Sequence, residues 1–222
     1  MELIYLPVRA RGETLRFMLH HSGIPFTDSV VSDLAAAKPS APMRRFPTLV
    51  VGSGEVLFES GAIARFIGVQ TGLYPVNEDA VKAAMTDAVF EVAQALMGLN
   101  PVVNVFSGAR FEAEKAAMFE KFEKELPLLE GILGQKNFFA DDAKPLMGDF
   151  HVFHLLDLVT TLEPEYLSKN HSGLHSFYRR MPGASEGLRA YLAVRPRVGD
   201  TGTGESFIRN HAKENSYDNY NL

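Results

Sequence analysis

The sequence predicts two units in tandem, an α/β domain over residues 1–73 and an all-helical bundle over residues 80–198. Three observations carry this prediction. Up to about residue 70, short strand-like runs alternate with helix-like ones. A turn-rich linker follows, Thr71-Gly72-Leu73-Tyr74-Pro75-Val76-Asn77, and residues 74–79 are read as the boundary. Beyond it the strand signals cease, and helical periodicity runs over Asp79 to Leu99 and Phe111 to Leu133.

The first half reads in order as follows. Glu2 to Leu6 is short and apolar and stops at Pro7, as a strand would. Glu13 to His21 places Leu15, Phe17, Met18 and Leu19 near one side of a helix that Gly23 ends. Pro25 to Val31 reads as a second strand, and Leu34 to Ser40, interrupted by Pro39, as a short irregular helix. Thr48 to Val51 and Val56 to Phe58 flank Gly52-Ser53-Gly54 as a hairpin. Ser60 then opens a helix carrying Ala62, Ile63, Phe66 and Ile67. The order is βαβ, a short helix, then ββα: a parallel pair joined by a right-handed crossover, followed by a hairpin. In the second half, shorter helices are expected at Phe150 to Leu162, His175 to Arg180 and Ser185 to Ala193. The polar, Gly- and Asn-rich residues 199–222 read as a loose tail.

Composition narrows the function. With 222 residues, 46% hydrophobic and 22% charged, the chain has a globular composition able to bury a sizeable core. A net charge of −5 gives no electrostatic reason to expect nucleic acid or an anionic membrane as partner. No apolar run reaches the roughly 18 residues of a membrane span, and Met1-Glu2-Leu3-Ile4-Tyr5 has neither the basic region nor the apolar core of a signal peptide. The expected location is the cytoplasm. Without cysteine there is no disulfide, thiolate metal site or cysteine nucleophile. The histidines show no metal-ligand spacing, and no metal is expected.

Three segments carry chemistry. The first is Leu3-Ile4-Tyr5-Leu6-Pro7-Val8-Arg9-Ala10-Arg11-Gly12-Glu13, a strand end running into a helix. The second is Arg44-Arg45-Phe46-Pro47-Thr48-Leu49, an X-Pro turn before a strand. The third is Leu57-Phe58-Glu59-Ser60-Gly61-Ala62-Ile63-Ala64-Arg65-Phe66-Ile67, a strand end running into a helix again. Each has little specificity alone. In this order and spacing, followed by a helical half, they resemble the glutathione transferases of the tyrosine type, nearest the sigma class, with mu and alpha next. The resemblance spans about residues 1–195. It implies a thioredoxin-like domain that binds glutathione, followed by a helical domain. The implied activity is attack of the glutathione thiolate on electrophilic or hydroperoxide substrates. Two other readings fit the same resemblance: a glutathione-dependent isomerase of the prostaglandin type, and a non-catalytic relative that binds ligands or serves structure. Intact Tyr5, Arg11 and Glu59-Ser60 argue against the second.

The residues support a glutathione site on their own chemistry. Glutathione is an extended tripeptide, best held by exposed strand-like backbone. Phe46 is pushed toward extended geometry by Pro47, and the resemblance implies a cis bond that turns the Phe46 backbone to the ligand. Ser60 is read as an N-cap whose hydroxyl and N–H hold the γ-glutamyl carboxylate, with Glu59 accepting from the ammonium. The resemblance implies a lysine for the glycine carboxylate nine residues before Pro47, where Lys38 stands, and a basic residue just before the X-Pro pair, where Arg45 stands. Where the family has a tryptophan before that lysine, Leu34 stands here. Tyr5 is the chemical centre. A free thiol with a pKa of about 8.5 is only a few per cent ionised at neutral pH. Making the thiolate dominant takes about two units, roughly 2.7 kcal/mol. One hydroxyl hydrogen bond to an anion is worth about 1.5–3 kcal/mol. Arg11 is expected to assist by favouring the thiolate and lowering the Tyr5 pKa.

In the helical half, Met97, Asn100 and Asn104 are candidates for the pocket of a small hydrophobic electrophile. Asp149 is read as a structural acid in a helix's first turn. The resemblance also implies a homodimer. Asp87, Glu91 and Gln94 fall on one helical stripe, which in the sigma class carries acids, one of them reaching the partner's glutathione. Gln94 and Ala95 stand near that place, so this contact is expected to be weakened.

Overall fold

The structure, a computed structural model, describes residues 1–6, 8–98 and 111–195. Pro7, Asn100, Asn104 and the tail from 199 lie outside the described residues. The N-terminal part runs β1 (Glu2–Tyr5), α1 (Ala10–Ser22), β2 (Thr27–Val30), α2 (Leu34–Ala37), β3 (Thr48–Val50), β4 (Val56–Phe58) and α3 (Ser60–Thr71). The sheet order is β2-β1-β3-β4, with β1 and β2 parallel and both other pairings antiparallel. This is the thioredoxin-like mixed sheet, and the register explains the site. Tyr5 sits opposite Val30 and one residue beyond Ile4, which faces Thr48. The C-terminal end of β1 therefore lies beside the start of β3 and the turn that precedes it. Strand alternation sends Leu3 and Tyr5 inward, where both are buried. They meet α1 and α3, whose Leu15, Phe17, Met18, Leu19, Ile63, Ala64 and Ile67 form the core of this half.

From Ala80 on, every described regular element is helical: α4 (Ala80–Met97), α5 (Phe111–Leu133), α6 (Met147–Leu162), α7 (Tyr166–Asn170), α8 (Ser172–Arg180) and α9 (Glu186–Val194). The centre is α6, almost wholly buried. It crosses α4 closely at Gly148, where a Cβ would lie 2.4 Å from the Thr86 carbonyl and where the Gly148 N–H donates to Thr86 Oγ1 at 2.8 Å. Asp149, in the first turn, accepts from the N–H groups of Leu146 at 2.8 Å and Phe139 at 2.9 Å. That satisfies a free helix-terminal donor and ties down the incoming loop.

The boundaries differ from expectation where tertiary contacts decide them. α6 starts three residues before Phe150 because the Asp149 carboxylate completes a turn that has no sequence signal at Leu146. α1 starts at Ala10, not Glu13, because the Arg9 carbonyl already accepts from Gly12 and Glu13. α7 was not expected; its five residues are too short for a periodic pattern. α4 begins where expected, since the Asp79 side chain accepts from the Lys82 N–H at 2.9 Å. At α3 the expectation is corrected. Ser60 is the first helical residue rather than the cap, and Glu59 occupies the cap position with φ 67° and ψ 119°.

Candidate active site

Tyr5 ends β1 with its ring against the first turn of α1. A Cβ added at Gly12 would sit 2.3 Å from Tyr5 Cδ1 and 2.8 Å from Cε1. Only glycine lets the ring lie there. The Tyr5 hydroxyl accepts from the backbone N–H of Arg11 at 3.2 Å, so its own proton remains to be donated elsewhere. Arg11 lowers the Tyr5 pKa as expected, but it does not decide the net direction. Burial raises the pKa, and this outweighs the lowering from the Arg11 N–H and from the charges of Arg16 and Arg11. A protonated tyrosine is the form that can donate to an anionic sulfur. The buried Nε of Arg11 has no hydrogen-bond partner among the described residues.

The Arg16 guanidinium stands 5.8 Å from the Tyr5 ring centroid and donates to the Val8 carbonyl at 3.1 Å. It is fixed by Asp28 at 2.7 Å and by Glu13. Glu13, itself buried, also accepts from Tyr191 Oη at 3.1 Å and Arg195 at 2.9 Å. Arg195 reaches on to Asp157 at 2.8 Å, and Asp157 also accepts from Arg9 at 3.3 Å. A buried ion network thus braces the β1–α1 turn against α6 and α9. Sequence reasoning saw Glu13 and Arg9 as parts of a motif but not this role, because Asp157 and Arg195 are far away in the chain.

On the other side, the Phe46–Pro47 peptide is cis, as the resemblance implied. Phe46 is half-buried. Among the described residues, no turn, loop or cap hydrogen bond between backbone groups engages its N–H or C=O. Pro47 and Thr48 are buried beneath it. Arg45 and Glu59, both exposed, form a loose ion pair at 3.8 Å across the mouth of this turn. Glu59 holds a left-handed backbone conformation that a side chain disfavours, as residues at ligand sites often do. Ser60 is buried, and its hydroxyl donates to Gln94 Oε1 of α4 at 3.4 Å.

The α4 stripe therefore faces the chain's own α3. Asp87 and Glu91 both bind Arg65, at 2.7 and 2.5 Å, and Gln94 completes the row at Ser60. Gln94, expected near the partner's glutathione, here meets the chain's own Ser60, and the place of Arg65 between Asp87 and Glu91 was not expected, since only the docking of α4 onto α3 brings these residues together. Lys38 lies exposed in the 3-10 turn Lys38–Ser40 after α2. Met97 is buried in the hydrophobic core at the last turn of α4. A separate surface groove of about 720 Å³ between α5 and the α6–α7 corner, lined by Lys115, Phe119, Tyr166 and Lys169, shares no residue with the Tyr5 site. Among the described residues no cluster of His, Cys, Asp or Glu could hold a metal ion.

Residues 12–70 match the family described as glutathione S-transferase, N-terminal domain. The chain is 29% identical over 209 residues to glutathione S-transferase 1 of Ascaris suum, covering 89% of this chain and 97% of that protein. The solved glutathione S-transferase of Ascaris lumbricoides is 27% identical with a TM-score of 0.76, over 88% of this chain and 97% of that one. A Pi-class transferase structure from Onchocerca volvulus, 23% identical, shares the fold with a TM-score of 0.78, over 91% of this chain and 98% of that one. Residues 12–70 thus match the N-terminal domain of glutathione S-transferases, and the chain is similar along nearly its whole described length to proteins named glutathione S-transferases.

Proposed function

We propose that the protein is a glutathione transferase that binds glutathione as co-substrate, holds its thiol as thiolate and directs it at small hydrophobic electrophiles or hydroperoxides. The observation that carries this reading is the Tyr5 hydroxyl, which accepts from the Arg11 N–H and keeps its own proton for an anionic sulfur. Tyr5 and Arg11 are the catalytic pair. The Phe46 backbone beside Pro47 takes the cysteinyl peptide in strand-like pairing. The γ-glutamyl carboxylate lies at the start of α3 on the Ser60 hydroxyl and the first helical N–H groups, and its ammonium meets Glu59. Lys38 and Arg45 serve the glycine carboxylate by charge. Met97, with Asn100 and Asn104, is assigned to the electrophile side. The class assignment is sigma, with mu and alpha next, supported by Lys38 nine residues before Pro47.

Location and assembly belong to the same proposal. Among the described residues no helix is long and apolar enough to cross a membrane, and we place the protein in the cytoplasm. We propose a homodimer. Supporting it are the exposed apolar side chains Val81, Met85 and Val92 on α4 and Val56 and Phe58 on β4. Light scattering at micromolar concentration should give about twice the 24.5 kDa of the chain; an active species at the single-chain mass refutes the dimer. The test of activity is conjugation of glutathione to a chlorodinitrobenzene-type electrophile. Turnover well above the uncatalysed rate is expected, and glutathione binding without turnover would favour the ligand-binding reading.

A further inference from the structure

Two buried histidines on α6, His151 and His154, lie directly beneath the first turn of α1 and belong to none of the motifs above. His151 packs its ring on Phe90, with centroids 4.2 Å apart, and places Nδ1 2.6 Å from Thr14 Oγ1. His154 places Nε2 2.7 Å from the carbonyl oxygen of Ala10. That oxygen can only accept, so Nε2 carries the proton and the ring donates. Nδ1 of His154 has no hydrogen-bond partner among the described residues.

The Ala10 carbonyl and the Arg11 N–H are the two ends of one peptide group. One end accepts from His154 at 2.7 Å; the other donates to the Tyr5 hydroxyl at 3.2 Å. We infer that His154 is a positioning residue for Tyr5, acting through the Ala10–Arg11 peptide. The inference rests on the transferase reading given above.

The chemistry follows from the amide. A proton donated to the carbonyl oxygen draws electron density from the amide nitrogen and makes its N–H a better donor, the cooperative strengthening known in hydrogen-bond chains. A better donor at the Tyr5 oxygen makes the hydroxyl a better donor in turn, toward the sulfur. The carbonyl of a first helical residue already has its N–H partner four residues on, so His154 engages the remaining lone pair rather than rescuing an orphan. The bond also holds Ala10 at φ 29°, a conformation a residue with a Cβ disfavours and one that sets the direction of the Arg11 N–H. The His154 ring stays neutral. Burial lowers its pKa and outweighs the nearby carboxylates Glu13 and Asp157 and the Ala10 carbonyl, with the Arg195 charge adding to the lowering. His151 and Phe17 pack against the same ring.

His154→Leu and His154→Gln test this, since leucine removes the donor and glutamine keeps an N–H. In the ligand-free protein the Arg11 amide proton resonance should move upfield in His154→Leu. The pKa of bound glutathione should rise by about half a unit, with kcat at neutral pH falling about three-fold and KM for glutathione within two-fold. His154→Gln should stay near wild type; if it behaves as His154→Leu does, packing and not donation is the role. A folded His154→Leu with an unmoved Arg11 amide and an unchanged thiol pKa overturns the inference. Should that variant not fold, the ring nitrogen shifts of the wild-type protein still decide: an Nε2–H tautomer supports the relay and an Nδ1–H tautomer overturns it. These amide and ring resonances are read without glutathione. A wild-type protein that fails to bind glutathione would sink the transferase reading and leave the relay to be judged by itself.

Discussion

Gly12→Ala should separate the position of the Tyr5 ring from the stability of the helix beneath it. The added Cβ would stand 2.3, 2.8 and 2.9 Å from three ring carbons, against 3.4–4 Å for ordinary contact. The backbone on one side is the first turn of α1, braced by Glu13 and Arg16. The ring must therefore move, by about 1 Å at its near edge. The hydroxyl lies farther than that edge from the Cα about which the side chain turns, so it moves by more. The 3.2 Å bond from the Arg11 N–H cannot survive such a shift. A misplacement of about 1 Å at a reacting group costs on the order of 100-fold in rate, and turnover should fall by that order. Stability should change little. Alanine is better than glycine in a helix by about 1 kcal/mol, which offsets much of the roughly 1–3 kcal/mol of overpacking. Steady-state conjugation kinetics, glutathione affinity by calorimetry and a thermal melt make up the assay. Wild-type turnover and thiol pKa in a folded Gly12→Ala protein would refute the assigned place of Tyr5.

Ser60→Ala should weaken glutathione binding by about 1–2 kcal/mol with little change in Tm, because the cap position belongs to Glu59; calorimetric titration checks it, and unaltered affinity places the γ-glutamyl group elsewhere. Glu13→Gln should destabilise the fold by about 2–4 kcal/mol, since it leaves the buried Arg16 and Arg195 short of a counter-charge. Burial alone pushes the Glu13 carboxyl up, but the charges of Arg16 and Arg195 outweigh it and hold it below 4.5. Its stabilisation is therefore present above that value and is lost as pH falls through the depressed folded pKa. Urea melts should show wild type losing stability on acidification, with a smaller loss in Glu13→Gln; equal acid sensitivity contradicts the network.

The local geometry at the candidate site was largely legible because neighbouring residues set it. Tyr5 is where an apolar strand must stop, Phe46-Pro47 is an X-Pro step before a strand, and Glu59-Ser60 is a strand-to-helix junction. Each position follows from residues within three or four places. The two-part fold was legible for a related reason: period-two and period-3.6 patterns do not mix, and the switch near residue 72 is abrupt. What was not legible depends on docking. Gln94 meets Ser60 only because α4 crosses α3, and Arg195 meets Glu13 only because α9 packs on α1. The reading of Ser60 as a cap failed because Glu59 takes a left-handed backbone that a glutamate does not announce. The net direction for Tyr5 was not legible: Arg11 lowers its pKa as expected, but burial, which a short motif cannot report, is the larger influence and raises it.

In the proposed reaction the Tyr5 hydroxyl stabilises the glutathione thiolate. Ultraviolet titration of thiolate in the glutathione complex, wild type against Tyr5→Phe, tests it most directly. A thiol pKa below neutrality is expected in wild type, raised by about one to two units in Tyr5→Phe, with glutathione affinity held within a few-fold and most turnover lost. A thiol pKa that is the same in both proteins would contradict it.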